Sequence, residues 1–344
     1  MAAKTSPNFL VAIGSFSLGL LASLAYLNSA AAQTDMTGVN IAGAEFGGKI
    51  LPGKHGHDYF YPSTATIDYF AARGMNVIRV PFRWERLQPN PNGELNAAEL
   101  QHLDAVVATA TQRGMSVILD VHNYAAYNGK PLGTPDVPMA TLAGLWGPLA
   151  ARYKGNPRVI FGLMNEPKGL PTETWLQAAN GAIAAIRDND ASNLILVPGN
   201  GWTGAHSWLS SSYGTPNSTV MLDVQDPLNN YAFDVHQYLD KDYSGTSPTC
   251  VSETVGVTAL TRFTNWARQN GKRAFLGEFG GGTDKTCLAA LDRMLLFMKQ
   301  NSDVWSGWAY WAAGPWPPTY FTSIQPIDGQ DRPQMNILRK YIGR

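Results

Sequence analysis

Charge is scarce in this chain of 344 residues: 15% of them are Asp, Glu, Lys or Arg, and 26 basic residues balance 26 acidic ones. A chain without net charge or a long charge run has no electrostatic reason to seek nucleic acid or an anionic membrane. Cysteine is scarcer still, with Cys250 and Cys287 alone. That excludes a Cys cluster for a metal and leaves either one disulfide or two free thiols. No Gly-rich phosphate loop follows an early strand, and there is no Walker loop, no H-E-x-x-H for zinc and no G-x-S-x-G nucleophile elbow. No cofactor and no metal are expected. A Pro/Ser/Thr-rich linker and a second compositional zone are also missing, so one domain without an appended module is expected.

What is present begins with an export signal. Lys4 stands in a short positive region, and an apolar run without charge extends from Phe9 to Leu27. Asn28-Ser29-Ala30-Ala31-Ala32 then supplies the small residues of a cleavage site just before Gln33. Residues 1–32 read as a secretory signal peptide and 33–344 as the exported domain. An uncleaved anchor is the alternative, because the run nearly spans a bilayer. In the exported domain, uncharged polar residues accompany many of the ten Trp. Such a mixture suits a neutral, hydroxyl-rich ligand better than a phosphorylated one.

Short β-rich runs alternate with amphipathic helical runs. Strands are expected at 40–46, 76–82, 116–122, 159–165, 193–198, 231–237, 274–279 and 306–311. Helices are expected at 63–73, 97–113, 139–153, 172–187, 258–269, 285–300 and 334–341, with a short one near Ser207. An internal echo supports a repeated unit: Arg73-Gly74-Met75-Asn76-Val77-Ile78 resembles Arg113-Gly114-Met115-Ser116-Val117-Ile118. Each reads as a helix end, a Gly past its C-terminus and a buried strand. Eight such units fit a single (β/α)8 TIM barrel better than an open doubly wound sheet. Chemistry then belongs at the C-terminal strand ends, where Arg79, His122, Asn165-Glu166, His236 with Tyr238, Glu278 and Trp311 fall.

Two of these carry the chemistry. Glu166 ends the apolar strand Phe161-Gly162-Leu163-Met164-Asn165, and Pro167 stops it; Glu278 ends Phe275-Leu276-Gly277 beside the glycines 280–282. A carboxylate at the end of a buried strand costs desolvation unless it is paired or used. Cleaving a glycosidic bond needs one carboxylic acid for the leaving oxygen and one carboxylate for the developing cation. His55-Gly56-His57-Asp58 places ligand-type residues close together, but in a loop among Tyr and Pro, where solvated or hydrogen-bonded histidines are the ordinary outcome.

Leu163-Met164-Asn165-Glu166-Pro167 resembles the acid/base signature of glycoside hydrolase family 5, and Gly277-Glu278-Phe279-Gly280 its nucleophile strand. The stretches from Arg79 to Leu87, from Asp120 to Tyr124, and His236-Gln237-Tyr238 resemble its second, third and sixth strands. The resemblance covers nearly the whole exported domain and is greatest to secreted endo-β-1,4-glucanases of subfamily 5. It implies a retaining double displacement on a β-glucan by a monomeric enzyme, with Glu278 as nucleophile and Glu166 as acid/base. It further implies that Arg79 and Tyr238 keep Glu278 ionised and that Asn165 meets the sugar 2-hydroxyl. His122 and His236 would orient substrate and tune Glu166, without a division of labour between them. Trp311 would form the sugar platform beneath the cleaved residue, and the resemblance pairs Cys250 with Cys287. Trp202 is expected to bind sugar. Trp84, Trp208, Trp316, Tyr124 and Tyr127 also fall in loops that follow strands, whereas Trp146, Trp175 and Trp266 fall on helices and are expected to pack. Asn217-Ser218-Thr219 is an N-glycosylation sequon.

Overall fold

The structure is a computed structural model that describes residues 1–4 and 36–343. Most of the expected signal peptide, 5–32, lies outside the described residues. Eight parallel strands close into a barrel: β1 Met36–Ile41, β2 Val77–Phe82, β3 Ser116–Val121, β4 Val159–Gly162, β5 Ile195–Pro198, β6 Tyr231–His236, β7 Ala274–Glu278 and β8 Trp305–Ala313. Closure between β1 and β8 rules out the open sheet. Six long helices lie between the strands: α1 Thr64–Ala71, α2 Ala97–Gln112, α3 Ala140–Tyr153, α4 Thr172–Asp188, α5 Val255–Gln269 and α6 Lys285–Gln300. Side chains cap three of them, with Ser63, Asn96 and Asp284 accepting from the first-turn N–H groups of α1, α2 and α6.

Alternation along the strands explains how the barrel interior is built. Met36, Val77, Ile118, Ile160, Leu196, Ala232, Phe275 and Ala309, one from each strand, form a buried apolar plug. Two residues further on, pointing the same way, stand Arg79, Asp120, Asp234 and Trp311. The floor of the site is therefore the next layer above the plug. Gly277 makes room in that layer, since a Cβ there would lie 2.0 Å from Asp234 Oδ1. The larger core lies outside the barrel, between strands and helices, and holds the fully buried Trp84, Trp146, Trp175 and Trp208.

Several expectations need correction. The first strand runs over Met36–Ile41, not 40–46. Both faces of β1 are buried, and Gly38 is suited to it because a Cβ would lie 1.7 Å from Val77 O. Residues 42–46 instead form the loop above it. The short helix after β5 is Asn217–Val220, continued by a 3-10 turn at Met221–Asp223, not a helix at Ser207. Trp84, Trp208 and Tyr127 face the core: Trp208 packs on Phe233, Phe263 and Trp266, while Tyr127 donates to Gln88 O at 2.8 Å. The sequon residue Asn217 is buried, and its amide exchanges two 2.8 Å hydrogen bonds with the Asn200 backbone. That Nδ2 is not presented for glycan transfer in the folded chain.

Cys250 and Cys287, 37 positions apart in sequence, form a disulfide with Cα atoms 5.2 Å apart. The bridge ties the loop after β6 to the first turn of α6. Gly281 and Gly282, just past Glu278, run against it: a Cβ at Gly281 would lie 3.4 Å from Cys250 Sγ, and one at Gly282 would lie 2.2 Å from Pro248 O. Closing a loop of this length restricts the unfolded chain by about 3–4 kcal/mol. The double variant Cys250→Ser/Cys287→Ser should therefore melt roughly 5–10 °C lower while keeping its fold. A calorimetric midpoint equal to the parent's would show that other contacts hold this loop.

Candidate active site

The apolar run of β7 delivers Glu278 to the barrel mouth in a buried position. Its Oε1 accepts from Arg79 Nη1 at 2.7 Å and its Oε2 from the Tyr238 hydroxyl at 2.8 Å. Arg79, fully buried on β2, also donates to Asn40 Oδ1 and Asn165 Oδ1, both at 2.8 Å. Asp120 Oδ1 lies 3.1 Å and Asp234 Oδ2 4.0 Å from the same guanidinium. One buried cation thus serves three carboxylates. Burial pushes the Glu278 carboxyl up, but the charges of His236, Arg79 and His122 and the Tyr238 hydrogen bond outweigh it. The net result is a carboxyl held below the ordinary glutamate range.

Glu166 reaches the mouth differently. β4 ends at Gly162, and the chain runs on through Asn165 before Glu166 takes a left-handed φ of 42° ahead of Pro167. Tyr124, Trp202 and Thr203 also have positive φ, so this uncommon backbone concentrates around the cleft. Glu166 Oε1 lies 2.9 Å from His236 Nδ1, and His236 Nδ1 is 3.5 Å from Glu278 Oε2. Facing atoms of Glu166, His236 and Glu278 all lie within 4.8 Å of one another. A cation at that point would meet Arg79, which already neutralises Glu278.

The geometry separates the two histidines. His236 touches Glu166. His122 bonds Asp120 Oδ2 through Nδ1 at 2.7 Å and stacks on Trp311 with centroids 5.7 Å apart. Burial pulls both imidazoles down, but neighbouring carboxylates outweigh it and raise both above the ordinary histidine value. Trp311 also donates from Nε1 to the Tyr320 hydroxyl at 2.9 Å, and Trp316 stacks on Tyr320. Asn165 Nδ2 is buried with no hydrogen-bond partner among the described residues, a donor free for a ligand.

A cavity of about 390 Å³ opens beside Glu166, lined by Tyr124, Trp202, His206, His236 and Tyr238 among others. Trp202 is 41% exposed, enough to offer a ring to a ligand. Lys168 Nζ lies over both the Tyr124 and Trp202 rings, 5.1 and 5.2 Å from their centroids. His55 and His57 take no part: His55 stacks on His102, and His57 bonds Asp58 at 2.9 Å.

Asn40, Asp120, Asp234 and Glu45 were missed from the sequence. The sequence puts Asn40 at the start of a strand, whereas register sets it beside both Arg79 and Trp311. The two aspartates had a readable signal, since Asp-Val-His occurs at 120–122 and at 234–236 and strand alternation puts each Asp and His on one face. Glu45 accepts from Gly43 N–H at 2.7 Å, and burial pushes its carboxyl up to about 7 against the pull of His122.

A family model described as cellulase (glycosyl hydrolase family 5) matches residues 31–314. The chain belongs to glycosyl hydrolase family 5. As a family 5 member it is a glycoside hydrolase built on a single TIM barrel. A probable endo-beta-1,4-glucanase B of Aspergillus oryzae is 39% identical over 309 residues, covering 89% of this chain and 90% of that protein. Among solved structures, the endo-beta-1,4-glucanase Xac0029 of Xanthomonas axonopodis pv. citri is 49% identical with TM-score 0.88, covering 90% of this chain and 98% of the other. XacCel5A in complex with cellopentaose is 51% identical, also with TM-score 0.88, covering 90% and 99%.

Proposed function

We propose that this family 5 enzyme is an exported, retaining endo-β-1,4-glucanase acting on cellulose or a soluble β-glucan. The observation that carries the reading is the approach of Glu166 and Glu278 to within 4.8 Å, in one cleft but in unlike surroundings. Retaining glycosidases keep their two carboxyl groups roughly 5–5.5 Å apart, whereas inverting ones leave room for a water. Glu278, held ionised by Arg79 and Tyr238, attacks the anomeric carbon. Glu166 protonates the departing glycosidic oxygen and then takes a proton from the water that releases the glycosyl-enzyme. Asn165, with Nδ2 free and Oδ1 on Arg79, is suited to the 2-hydroxyl next to that carbon. Trp311 and Trp202 offer rings for the C–H faces of successive sugars. The glucan specificity rests on the endoglucanase names of the relatives and on the neighbour that binds cellopentaose.

Release of reducing ends from carboxymethylcellulose, barley glucan, xyloglucan and mannan tests the substrate. The first two should be cleaved fastest, and cleavage of mannan alone would overturn the assignment. NMR of the first product from a β-linked oligosaccharide should show the β-anomer; the α-anomer would mean inversion. Export with removal of residues 1–32 would leave Gln33 as the first residue of the secreted protein, which N-terminal sequencing checks.

A further inference from the structure

The Asp-Val-His triplet occurs twice, on β3 and on β6, but its rings are used in opposite senses. At Asp120-Val121-His122 the aspartate bonds Nδ1 at 2.7 Å, so Nε2 is the edge left for Tyr124 and the cleft. At Asp234-Val235-His236 it is Nδ1 that faces Glu166, and Nε2 is turned down toward Asp234 Oδ2, 3.9 Å away. His236 Nε2 is buried and, among the described residues, has no hydrogen-bond partner. Asp234 is itself buried in the floor layer, in the space that Gly277 leaves open.

We propose that Asp234 is a positioning residue that keeps the His236 Nε2 proton in place, so that the proton exchanged with Glu166 is always the one on Nδ1. This rests on the assignment of Glu166 as acid/base. With Nε2–H held, the ring and Glu166 share a single mobile proton. When it sits on Glu166, Nδ1 is a neutral acceptor and Glu166 is loaded to protonate the leaving oxygen. Once that proton has gone to the leaving oxygen, Glu166 is the carboxylate that takes a proton from the incoming water, and Nδ1 is again an acceptor for it. An imidazole protonated on the wrong nitrogen would instead present Nδ1–H to a protonated Glu166 and fix neither state. An aspartate that orients a histidine for another group is the logic of the hydrolase triads.

The other groups around the pair fit this division. Arg79 from β2, Asp120 from β3 and Glu278 from β7 bear on Asp234, and Glu166 and Glu278 bear on His236. Burial pushes the Asp234 carboxyl up to about 6, with the charges of His236 and Arg79 pulling it back. Asp234 Oδ2 lies 4.0 Å from Arg79 and 3.9 Å from His236 Nε2, while Arg79 lies closer to Glu278 and Asp120.

Nitrogen-15 NMR of the parent protein tests this without any substitution. The His236 Nε2 signal should stay that of a protonated nitrogen across the pH range of the folded state, with Nδ1 alone titrating. A neutral ring carrying its proton on Nδ1 would overturn the proposal. Asp234→Asn, which keeps the shape, should then lower kcat on cello-oligosaccharides by about 10–100-fold with KM little changed. It should also move the limb of the kcat/KM profile that reports Glu166. On an aryl β-cellobioside whose phenol leaves without protonation, the same variant should form its glycosyl-enzyme near the parent rate. Glu166→Ala is run alongside. If it lacks this leaving-group dependence, the role of Glu166 itself fails. If it shows the dependence and a folded Asp234→Asn loses equally on both substrates, only the role of Asp234 fails.

Discussion

Glu278→Ala is expected to lower turnover by on the order of 10⁴-fold or more while cellopentaose still binds with a Kd within a few-fold of the parent's. The two halves of that result follow from different contacts. The carboxylate accepts from Arg79 and Tyr238 and is the proposed nucleophile, so its loss should remove the covalent step. The proposed sugar contacts, the rings of Trp311 and Trp202 and the free amide of Asn165, do not depend on that carboxylate and remain. Azide supplied with an activated β-cellobioside separates the roles of the two glutamates. In Glu278→Ala, azide enters through the space the carboxylate vacates and gives the α-glycosyl azide. In Glu166→Ala the covalent intermediate still forms, and azide displaces it to give the β-azide. The reverse pairing of variant and anomer would exchange the two assignments, and undiminished turnover in Glu278→Ala would remove Glu278 from the mechanism.

Much of this site was legible before any coordinates, for reasons that trace to particular residues. Glu166 and Glu278 stand out because each closes an apolar run of the sequence, where a carboxylate costs desolvation unless it is paired or used. The helices from α1 to α6 were found to within a few residues because their apolar faces recur at helical spacing. What stayed hidden depends on closure. Asn40 acquires its place only when β1 pairs with β8, because a sheet neighbour so remote in sequence leaves no local trace. Trp84 and Trp208 follow strands, as Trp202 does, yet their rings turn into the helical layer while Trp202 turns to the cleft. Position after a strand gives the end of the barrel and not the direction of a ring. The depth of Asp120 and Asp234 was hidden for the same reason: the triplet shows a shared face, but only the plug beneath makes that face the floor of the site.

The floor gives the two glutamates of one cleft unlike surroundings. Glu278 sits on the Arg79 side, where one guanidinium and the Tyr238 hydroxyl meet its two oxygens. Glu166 stands beyond the end of β4, meets the protein through His236, and is the more open of the two, with 15% of its side chain exposed against 5% for Glu278. Those unlike surroundings suit the unlike roles proposed for the two glutamates in double displacement.

Arg79 is therefore the residue whose replacement should reach furthest. Arg79→Met leaves Glu278, Asp120 and Asp234 buried without their shared cation, and it should destabilise the fold by roughly 3–5 kcal/mol, read by denaturant unfolding at neutral pH. The penalty should shrink as pH falls, because protonating the three carboxyls removes the charge that lacks a partner. Arg79→Lys keeps a charge but loses the planar fork that reaches Asn40, Asn165 and Glu278 together. Its stability cost should be smaller and its kcat lower by about 10²–10³-fold, since the nucleophile and Asn165 lose their common anchor. The sign of the pH effect follows from the parent, in which Arg79 helps hold the Glu278 carboxyl low. Weakening that hold raises it, so the nucleophile protonates sooner on acidification and the acid limb of kcat/KM moves to higher pH. A folded Arg79→Lys with an unmoved acid limb would show that His236 and Tyr238 alone keep Glu278 ionised.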